Sequence, residues 1–249
     1  MNKTRLSIFL SIFLIFPIVL MSQKHNAYLA KGNKYLNKRQ YVKALKIFKQ
    51  IVATNESSDC WNSIGTAYLG LGKYNAAEKC FRKAISIDGG IAKYYSNLGI
   101  AFAYQRKYDF SKNCHKLAIK LAPDNPIYKV NLATLLTELK KYDDSIAILN
   151  KVLEKHPKMF YARYSLGRNF QLTRKYSEAL KQYNEAMHIQ NKFFNLFYNR
   201  AYIFYKMNNL FAAERDLAAA DKLKPKNKKT GMLRSLIDRR RNSQYYKGR

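Results

Sequence analysis

Acidic residues, proline and glycine are scarce in this chain of 249 residues. Only 16 Asp and Glu stand against 46 Lys and Arg, and the chain has five Pro and ten Gly. So few Pro and Gly favour helices over a turn-rich β fold. The hydrophobic fraction of 47% excludes a wholly disordered chain. The formal net charge of +30 indicates attraction to an anionic partner, although a base composition that favours Lys codons would produce the same excess.

Cysteine is scarce too, and the motifs of common enzyme classes are missing. The three cysteines, Cys60, Cys80 and Cys114, cannot all pair within one chain, and none lies in a C-x-x-C motif of a zinc or redox site. No phosphate-binding loop has the required spacing, and the four histidines are scattered. We therefore predict no enzyme activity, no catalytic residues, no cofactor and no metal site.

Charge is absent from one stretch near the amino terminus, Leu6 to Met21, which follows Lys3 and Arg5. As a helix this stretch is about 24 Å long, short of a comfortable membrane span. Its layout is typical of a secretory signal peptide, so residues 1–22 are interpreted as a signal peptide or signal anchor, with a buried helix as a further alternative. The basic residues that follow favour cleavage. We expect an exported protein of the periplasm or cell envelope.

A small residue recurs along the rest of the chain at steps of 33 and then 34 residues. The positions are Gly32, Gly65, Gly99, Ala133, Gly167 and Ala201. The clearest unit runs from Ser58 to Gly89. There, Trp61, Ile64, Gly65 and Tyr68 share one helical face, and Ala77, Phe81 and Ala84 share a face of a second helix. The pattern therefore predicts antiparallel helix pairs that cross closely at the small residue.

This spacing resembles the tetratricopeptide repeat, which pairs W-x2-L-G-x2-Y with a later A-x3-F. The resemblance implies an all-α fold, an α-solenoid with a right-handed superhelix of six helix pairs. We place the repeats at residues 25–57, 58–91, 92–125, 126–159, 160–193 and 194–227. Residues 228–249 are interpreted as a capping helix and basic tail. Its apolar residues at helical spacing are Met232, Leu233, Leu236 and Ile237.

The same phase assigns structural roles to several polar residues. His115 takes the place of a large core residue, so we expect a buried core histidine. Cys80 and Cys114 are equivalent in consecutive repeats and are interpreted as structural thiols. Asp143 and Asp144 begin a second helix, where acidic side chains complement the helix dipole.

In the repeat family the first helices line a concave groove, and the resemblance implies that this groove holds an extended segment of a protein partner. The O-linked N-acetylglucosamine transferases carry asparagine two positions before the small residue, where an amide matches a peptide backbone. This chain has Ser63, Asn97, Asn131, Ser165 and Asn199 there. Side-chain pockets at the carboxyl-terminal end are predicted from Tyr161, Tyr164, Tyr198, Tyr202 and Tyr205. The alternative for Tyr164 and Tyr198 is packing between first helices.

Basic residues concentrate in the turns within helix pairs and beyond Asp221. The turn residues, here called the basic rim, are Lys38, Arg39, Lys73, Arg106, Lys107, Lys140, Lys141, Arg174 and Lys175. The basic tail includes Arg239, Arg240 and Arg241. We predict docking of rim and tail on an anionic surface such as a membrane leaflet, with an ordinary solvated face as the alternative.

Together these features predict a non-enzymatic protein–protein interaction scaffold with a protein or peptide partner and no small-molecule substrate. The alternative is a basic repeat protein associated with nucleic acid or ribonucleoprotein. The export signal argues against an encounter with nucleic acid.

Overall fold

The computed structural model describes residues 27–53 and 56–247, with side chains to residue 243. Within these ranges the regular elements are helices and no strand occurs, so the prediction of an all-α repeat fold is confirmed. The predicted signal or anchor segment, residues 1–22, lies outside the described residues. Among the helices that are described, none combines the length and the apolar character needed to cross a membrane.

The helices form two compact units that divide between Asn125 and Pro126. The amino-terminal unit contains α1 over residues 27–37, α2 (Tyr41–Val52), α3 (Ser58–Gly70), α4 (Tyr74–Ile87), α5 (Ala92–Tyr104) and α6 (Tyr108–Leu121). The carboxyl-terminal unit contains α7 (Pro126–Glu138), α8 (Tyr142–Lys155), α9 (Phe160–Leu172), α10 (Tyr176–Ile189), α11 (Phe194–Lys206), α12 (Leu210–Leu223) and α13 (Lys228–Lys247). In each unit neighbouring helices pack as antiparallel pairs. The boundaries of the six repeats stay a prediction.

Two residues after the end of each first helix, one residue adopts the left-handed backbone conformation. These residues are Arg39, Gly72, Arg106, Lys140, Arg174 and Asn208, with φ between 56° and 73°. The next residue donates its N–H to a carbonyl five positions back, as Lys107 does to Phe102 at 2.9 Å. This bond and the left-handed residue define a Schellman motif, which usually has Gly at that position. The chain reverses tightly here, and four of the six turns place Arg or Lys where Gly is preferred.

The helix pairs cross where the small residues lie. A Cβ atom on Gly32 would come within 2.5 Å of the Phe48 ring, and one on Gly65 within 2.6 Å of the Phe81 ring. Larger residues there would push the helices apart, so the predicted role of these glycines is confirmed. His115 occupies the equivalent position against Gly99 and is 2% exposed, which confirms the predicted core histidine.

The last helix, α13, packs on α11 and α12. Of its four apolar residues, Leu233 and Ile237 are buried, whereas Met232 and Leu236 remain 62% and 44% exposed. Only half of the predicted apolar face therefore contacts the last helix pair. The other half faces solvent.

Candidate partner-binding groove and basic turns

The asparagine of α5 in the amino-terminal unit hydrogen-bonds to the preceding helix pair. Asn97 donates from Nδ2 to Oδ1 of Asn62, in α3, at 2.8 Å. Asn62 is buried and was missed in the sequence, where it lies three positions before Gly65. Ser63 and Asn97 are half-buried. The amide nitrogen of Asn97 is thus occupied, while no bond to its Oδ1 occurs within residues 27–53 and 56–247.

The corresponding residues of the carboxyl-terminal unit, Asn131, Ser165 and Asn199, are also half-buried. Asn199 donates from Nδ2 to the hydroxyls of Tyr164 at 3.1 Å and Tyr183 at 3.3 Å. Like Asn97, Asn199 therefore uses its donor inside the protein. Its carbonyl oxygen has no bond among the residues described and is the group left for a ligand.

The tyrosines predicted to form pockets differ widely in exposure. Tyr161 is 57% exposed and meets the Phe160 and Phe193 rings edge-on, with centroids 5.2 and 6.4 Å apart. Tyr164 contacts the same two phenylalanines and is half-buried, and burial raises the pKa of its hydroxyl. Tyr164 therefore packs between helices as well as lining the surface, whereas Tyr161 stands free on one side.

Cations cover two of the three tyrosines of α11, and the third stacks on a phenylalanine. Tyr198 stacks on Phe194, and burial raises its pKa. The ammonium of Lys206 lies 5.4 Å from the ring centroid of Tyr202. Tyr205 is only 8% exposed because the Arg240 guanidinium covers its ring at 4.0 Å. Tyr198 and Tyr202 keep half-buried edges, but Tyr205 belongs mainly to the interior.

All residues of the basic rim are exposed. Lys107 forms an ion pair with Glu78 at 3.2 Å, and it is the one rim side chain with an ion pair or hydrogen bond in the part of the chain that the structure describes. The local charge varies from turn to turn. At the turn of α7 and α8, Lys140 and Lys141 line a shallow cleft together with Asp143 and Asp144, so their charges nearly balance. The turn at Lys38 and Arg39 has no neighbouring acid in sequence and is the more basic of the two.

The basic tail is partly occupied by contacts with the last helix pair. Besides covering the Tyr205 ring, Arg240 donates from Nη1 to the Tyr205 carbonyl oxygen at 2.7 Å. Arg241 forms an ion pair with Glu214. Arg239 is exposed and makes no side-chain bond within the described residues. Arg240 and Arg241 therefore hold α13 in place, and Arg239 is available to a partner.

Two buried polar clusters of the carboxyl-terminal unit were not predicted. Arg200 forms a bidentate ion pair with Asp216 at 2.5 and 2.8 Å, with Asp216 1% exposed. Thr137 donates to Oδ1 of Asn169 at 2.9 Å, and Asn169 donates to the Ser145 hydroxyl at 2.9 Å. Equivalent positions of the repeats carried a signal for both clusters, because the residues equivalent to Arg200 are Ile or Leu in repeats two to five and those equivalent to Asn169 are mostly apolar.

The cysteines are unpaired. Cys60 and Cys80 are buried and Cys114 is half-buried, which confirms the predicted structural thiols. Burial raises the pKa of Cys80 and of Cys114 to about 11, so both stay protonated at neutral pH.

Comparison with known proteins identifies the family. Tetratricopeptide repeat models match residues 58–90, 96–160 and 130–192, which together span more than half of the chain. The chain belongs to the tetratricopeptide repeat family. Neither matching model describes an enzyme family. No curated protein matches the sequence.

Solved structures agree on the tetratricopeptide fold. A chain of the APC/C hetero-tetramer Cut9–Hcn1 is similar with a TM-score of 0.74 and 14% identity, covering 91% of this chain and 45% of that one. PilW, a widely conserved type IV pilus biogenesis factor, has a TM-score of 0.70 and 17% identity, covering 85% of this chain and 98% of its own. YrrB, a TPR protein with an unusual peptide-binding site, has a TM-score of 0.50 and 18% identity over 76% of this chain and 97% of its own. The chain spans less than half of the Cut9–Hcn1 chain, and identities this low establish the fold alone.

Proposed function

We propose that this protein is a non-enzymatic scaffold that binds an extended segment of a protein partner along its first helices. Tetratricopeptide repeat proteins typically mediate protein–protein interactions. The observation that carries the proposal is the combination of two half-buried asparagines, Asn97 and Asn199, whose carbonyl oxygens make no bond among the described residues, with the exposed Tyr161 on the first helices. YrrB, described as having a peptide-binding site, supports the same use of the fold.

The geometry suggests a one-sided recognition of the peptide backbone. The Nδ2 groups of Asn97 and Asn199 are already bonded to neighbouring side chains, so their Oδ1 atoms remain to accept N–H groups of the ligand. Two such bonds at about 1 kcal/mol each give about 2 kcal/mol. A dissociation constant of 1 mM already requires about 4 kcal/mol. Most of the affinity must therefore come from side-chain contacts.

Tyr161 is the side chain best placed to supply such contacts. It is 57% exposed, yet Phe160 and Phe193 hold its ring from behind. A rigid ring loses little conformational entropy on binding, which is why tyrosine is frequent at interfaces. Tyr164, Tyr198 and Tyr202 extend this surface with half-buried rings. The ligand segment that fits this surface carries an apolar or aromatic side chain.

The test is affinity capture from the native envelope fraction with the full chain as bait. We expect the N97A/N131A/N199A triple variant and the Tyr161→Ala variant each to recover less of a partner that the wild type retains. Asn113→Ala and Asn150→Ala are matched controls, because both asparagines are exposed on second helices. Circular dichroism checks folding, since Asn199 also bonds to Tyr164 and Tyr183. Recovery equal to that of the controls would remove the asparagines and Tyr161 from the proposal.

We further propose that the basic rim docks the protein on an anionic membrane surface. A non-glycine residue in the left-handed region costs roughly 1–2 kcal/mol. Arg39, Arg106, Lys140 and Arg174 adopt this conformation with no compensating bond from their side chains within residues 27–53 and 56–247. Fold stability therefore does not explain why cations occupy these turns. Docking offers a reason, because each basic residue near an anionic membrane contributes about 1 kcal/mol to the free energy of binding.

Export is part of the same proposal. The basic start and short apolar run of residues 1–22 support a location in the periplasm or cell envelope. The likeness to PilW, a pilus biogenesis factor, is consistent with that location. Fractionation of cells that express the full-length tagged chain tests it, with mass spectrometry of the mature amino terminus as the measure of cleavage.

One observation favours the alternative of nucleic-acid association. Tyr74 and Tyr104 stack with centroids 4.8 Å apart and planes within 3°, and Tyr104 is 59% exposed. Arg106 and Lys107 follow directly in the chain. An exposed ring beside cations is a platform on which an unpaired base can stack. This alternative would be supported by a cytoplasmic pool of the wild type that sediments with RNA and is released by nuclease. A Tyr104→Ala variant should not enter that pool.

A further inference from the structure

The last helix carries two apolar stripes that the fold uses differently. Leu233 and Ile237, 2% and 0% exposed, pack into the core with Ala201 and Leu217. Met232 and Leu236 lie one position earlier in each case and remain 62% and 44% exposed. A capping helix ends a repeat array with a polar outer face. Closure of the array therefore explains the inner stripe and leaves the outer one without a role.

Unpaired cations surround the outer stripe. At 100° per residue, Lys228, Lys229 and Arg239 lie within about 60° of Met232 around the helix axis. All three are exposed, and their side chains form no bond within the described part of the chain. Asp238, the only acidic residue of α13, points about 120° away from Met232. The outer face of α13 is therefore both apolar and strongly basic.

The other cations of α13 have a different task. Arg241 pairs with Glu214, Arg240 covers Tyr205, and Arg234 pairs with Asp221 at 2.5 Å. These contacts and the inner stripe hold α13 on the last helix pair. The helix can therefore present its outer face to a ligand without leaving the repeat.

We propose that the outer face of α13 binds the surface of an anionic lipid bilayer. Met232 and Leu236 enter the interfacial region, and Lys228, Lys229 and Arg239 contact headgroup phosphates. Amphipathic helices with basic flanks bind membranes by this combination of apolar burial and charge attraction. A second copy of the chain fits the face poorly, because the same cations would oppose one another. The inference rests on the docking part of the proposed function and deepens it, since it adds an apolar contact at a specific helix.

The test is cosedimentation of the full chain with vesicles made of equal parts phosphatidylglycerol and phosphatidylcholine, compared with phosphatidylcholine alone. We expect the wild type to bind the anionic vesicles and to retain a fraction of binding at high salt, because apolar contacts are not screened. The M232S/L236S variant, with all cations kept, should bind about tenfold more weakly and lose the salt-resistant fraction. Phe211→Ser is the matched control, since Phe211 is 79% exposed on α12.

A second measurement reports insertion directly. Leu236→Trp should shift its fluorescence to the blue on anionic vesicles, whereas Phe211→Trp should not, with Trp61 as the common background. The inference is overturned if M232S/L236S binds like the wild type or if Leu236→Trp shows no shift. If those results occur while the K38Q/R39Q variant loses vesicle binding, docking through the rim stands and only the role of α13 fails. Absence of vesicle binding by the wild type overturns both, and it leaves partner capture along the first helices as a separate question.

Discussion

The amino-terminal and carboxyl-terminal units close the same helix crossing with different chemistry. In the first, Phe48 and Phe81 press on glycines, and the surroundings are apolar. In the second, Tyr183 fills the crossing at Gly167 and donates its hydroxyl to Gln171 at 2.7 Å. The repeat therefore specifies the size of the side chain at a position more strictly than its polarity. Polarity is tolerated where a partner is within reach.

The rule has one exception, in the amino-terminal unit. His115 fills the crossing at Gly99, but its Nδ1 is buried with no hydrogen-bond partner in the described residues. Burial also lowers its pKa to about 4. At their helix crossings the two units thus contain opposite cases: the Tyr183 hydroxyl has a hydrogen-bond partner, and Nδ1 of His115 has none among the described residues.

The largest effect is expected at the buried ion pair. Asp216→Ala leaves the Arg200 guanidinium, whose side chain is 11% exposed, without its counter-ion. Removing one partner of a buried pair costs about 3–5 kcal/mol, so we expect a loss of at least about 3 kcal/mol in free energy of unfolding. Urea unfolding followed by circular dichroism measures it. The R200L/D216L double variant should recover most of the loss. A loss below about 1 kcal/mol for Asp216→Ala would contradict the claim that this polar group depends on its partner.

Acid should destabilise the protein through His115. Above pH 6.5 the residue is neutral in both states and contributes nothing. Between about pH 6.5 and 4 the unfolded chain binds a proton that the folded chain does not. The free energy of unfolding therefore decreases as the pH is lowered, by up to about 3 kcal/mol. Unfolding curves of wild type and His115→Phe across this range isolate the effect. Parallel curves for the two proteins would show that His115 does not titrate as described.

At neutral pH, His115→Phe should stabilise the amino-terminal unit. It removes a buried unsatisfied nitrogen, and Phe already fits the same crossing at Gly32 and Gly65. The expected gain is about 1–2 kcal/mol in free energy of unfolding. Phe81→His is the converse variant and should lose a similar amount. Thermal melting of both variants against the wild type decides the matter, and a destabilised His115→Phe would mean that repeat three is shaped for the smaller ring.

The smallest effect concerns the turns, a feature common to both units. Arg106→Gly and Lys140→Gly relieve the left-handed conformation and should each raise the free energy of unfolding by about 1 kcal/mol. Gly72→Ala should lower it, because alanine is disfavoured at φ 73°. The stabilised variants should bind anionic vesicles more weakly than the wild type. Unchanged vesicle affinity would leave the strained cations without the proposed role.

Periodicity made the helix pairs, their crossings and His115 predictable, because each depends on residues close in sequence and repeated at a constant interval. Asn62 and Asn169 were harder, because their partners Asn97 and Thr137 lie about one repeat away and the bonds form only after stacking. Arg200 and Asp216 stand in the same repeat at positions that are mostly apolar in the other repeats, and that paired departure was a usable signal.

The last helix shows what the sequence alone could not determine. Four apolar residues of α13 span about 140° around the helix axis, namely Met232, Leu233, Leu236 and Ile237. The last helix pair contacts only part of that arc. Helical spacing by itself therefore determined that these four apolar residues share one side of α13, and the sequence likewise determined the array of helix pairs and its excess of positive charge. Only tertiary packing decided that Leu233 and Ile237 face inward and that Arg240 and Arg241 hold the cap. The physical reason is that a contact side is chosen by the shape of the surface already assembled, which no local pattern encodes.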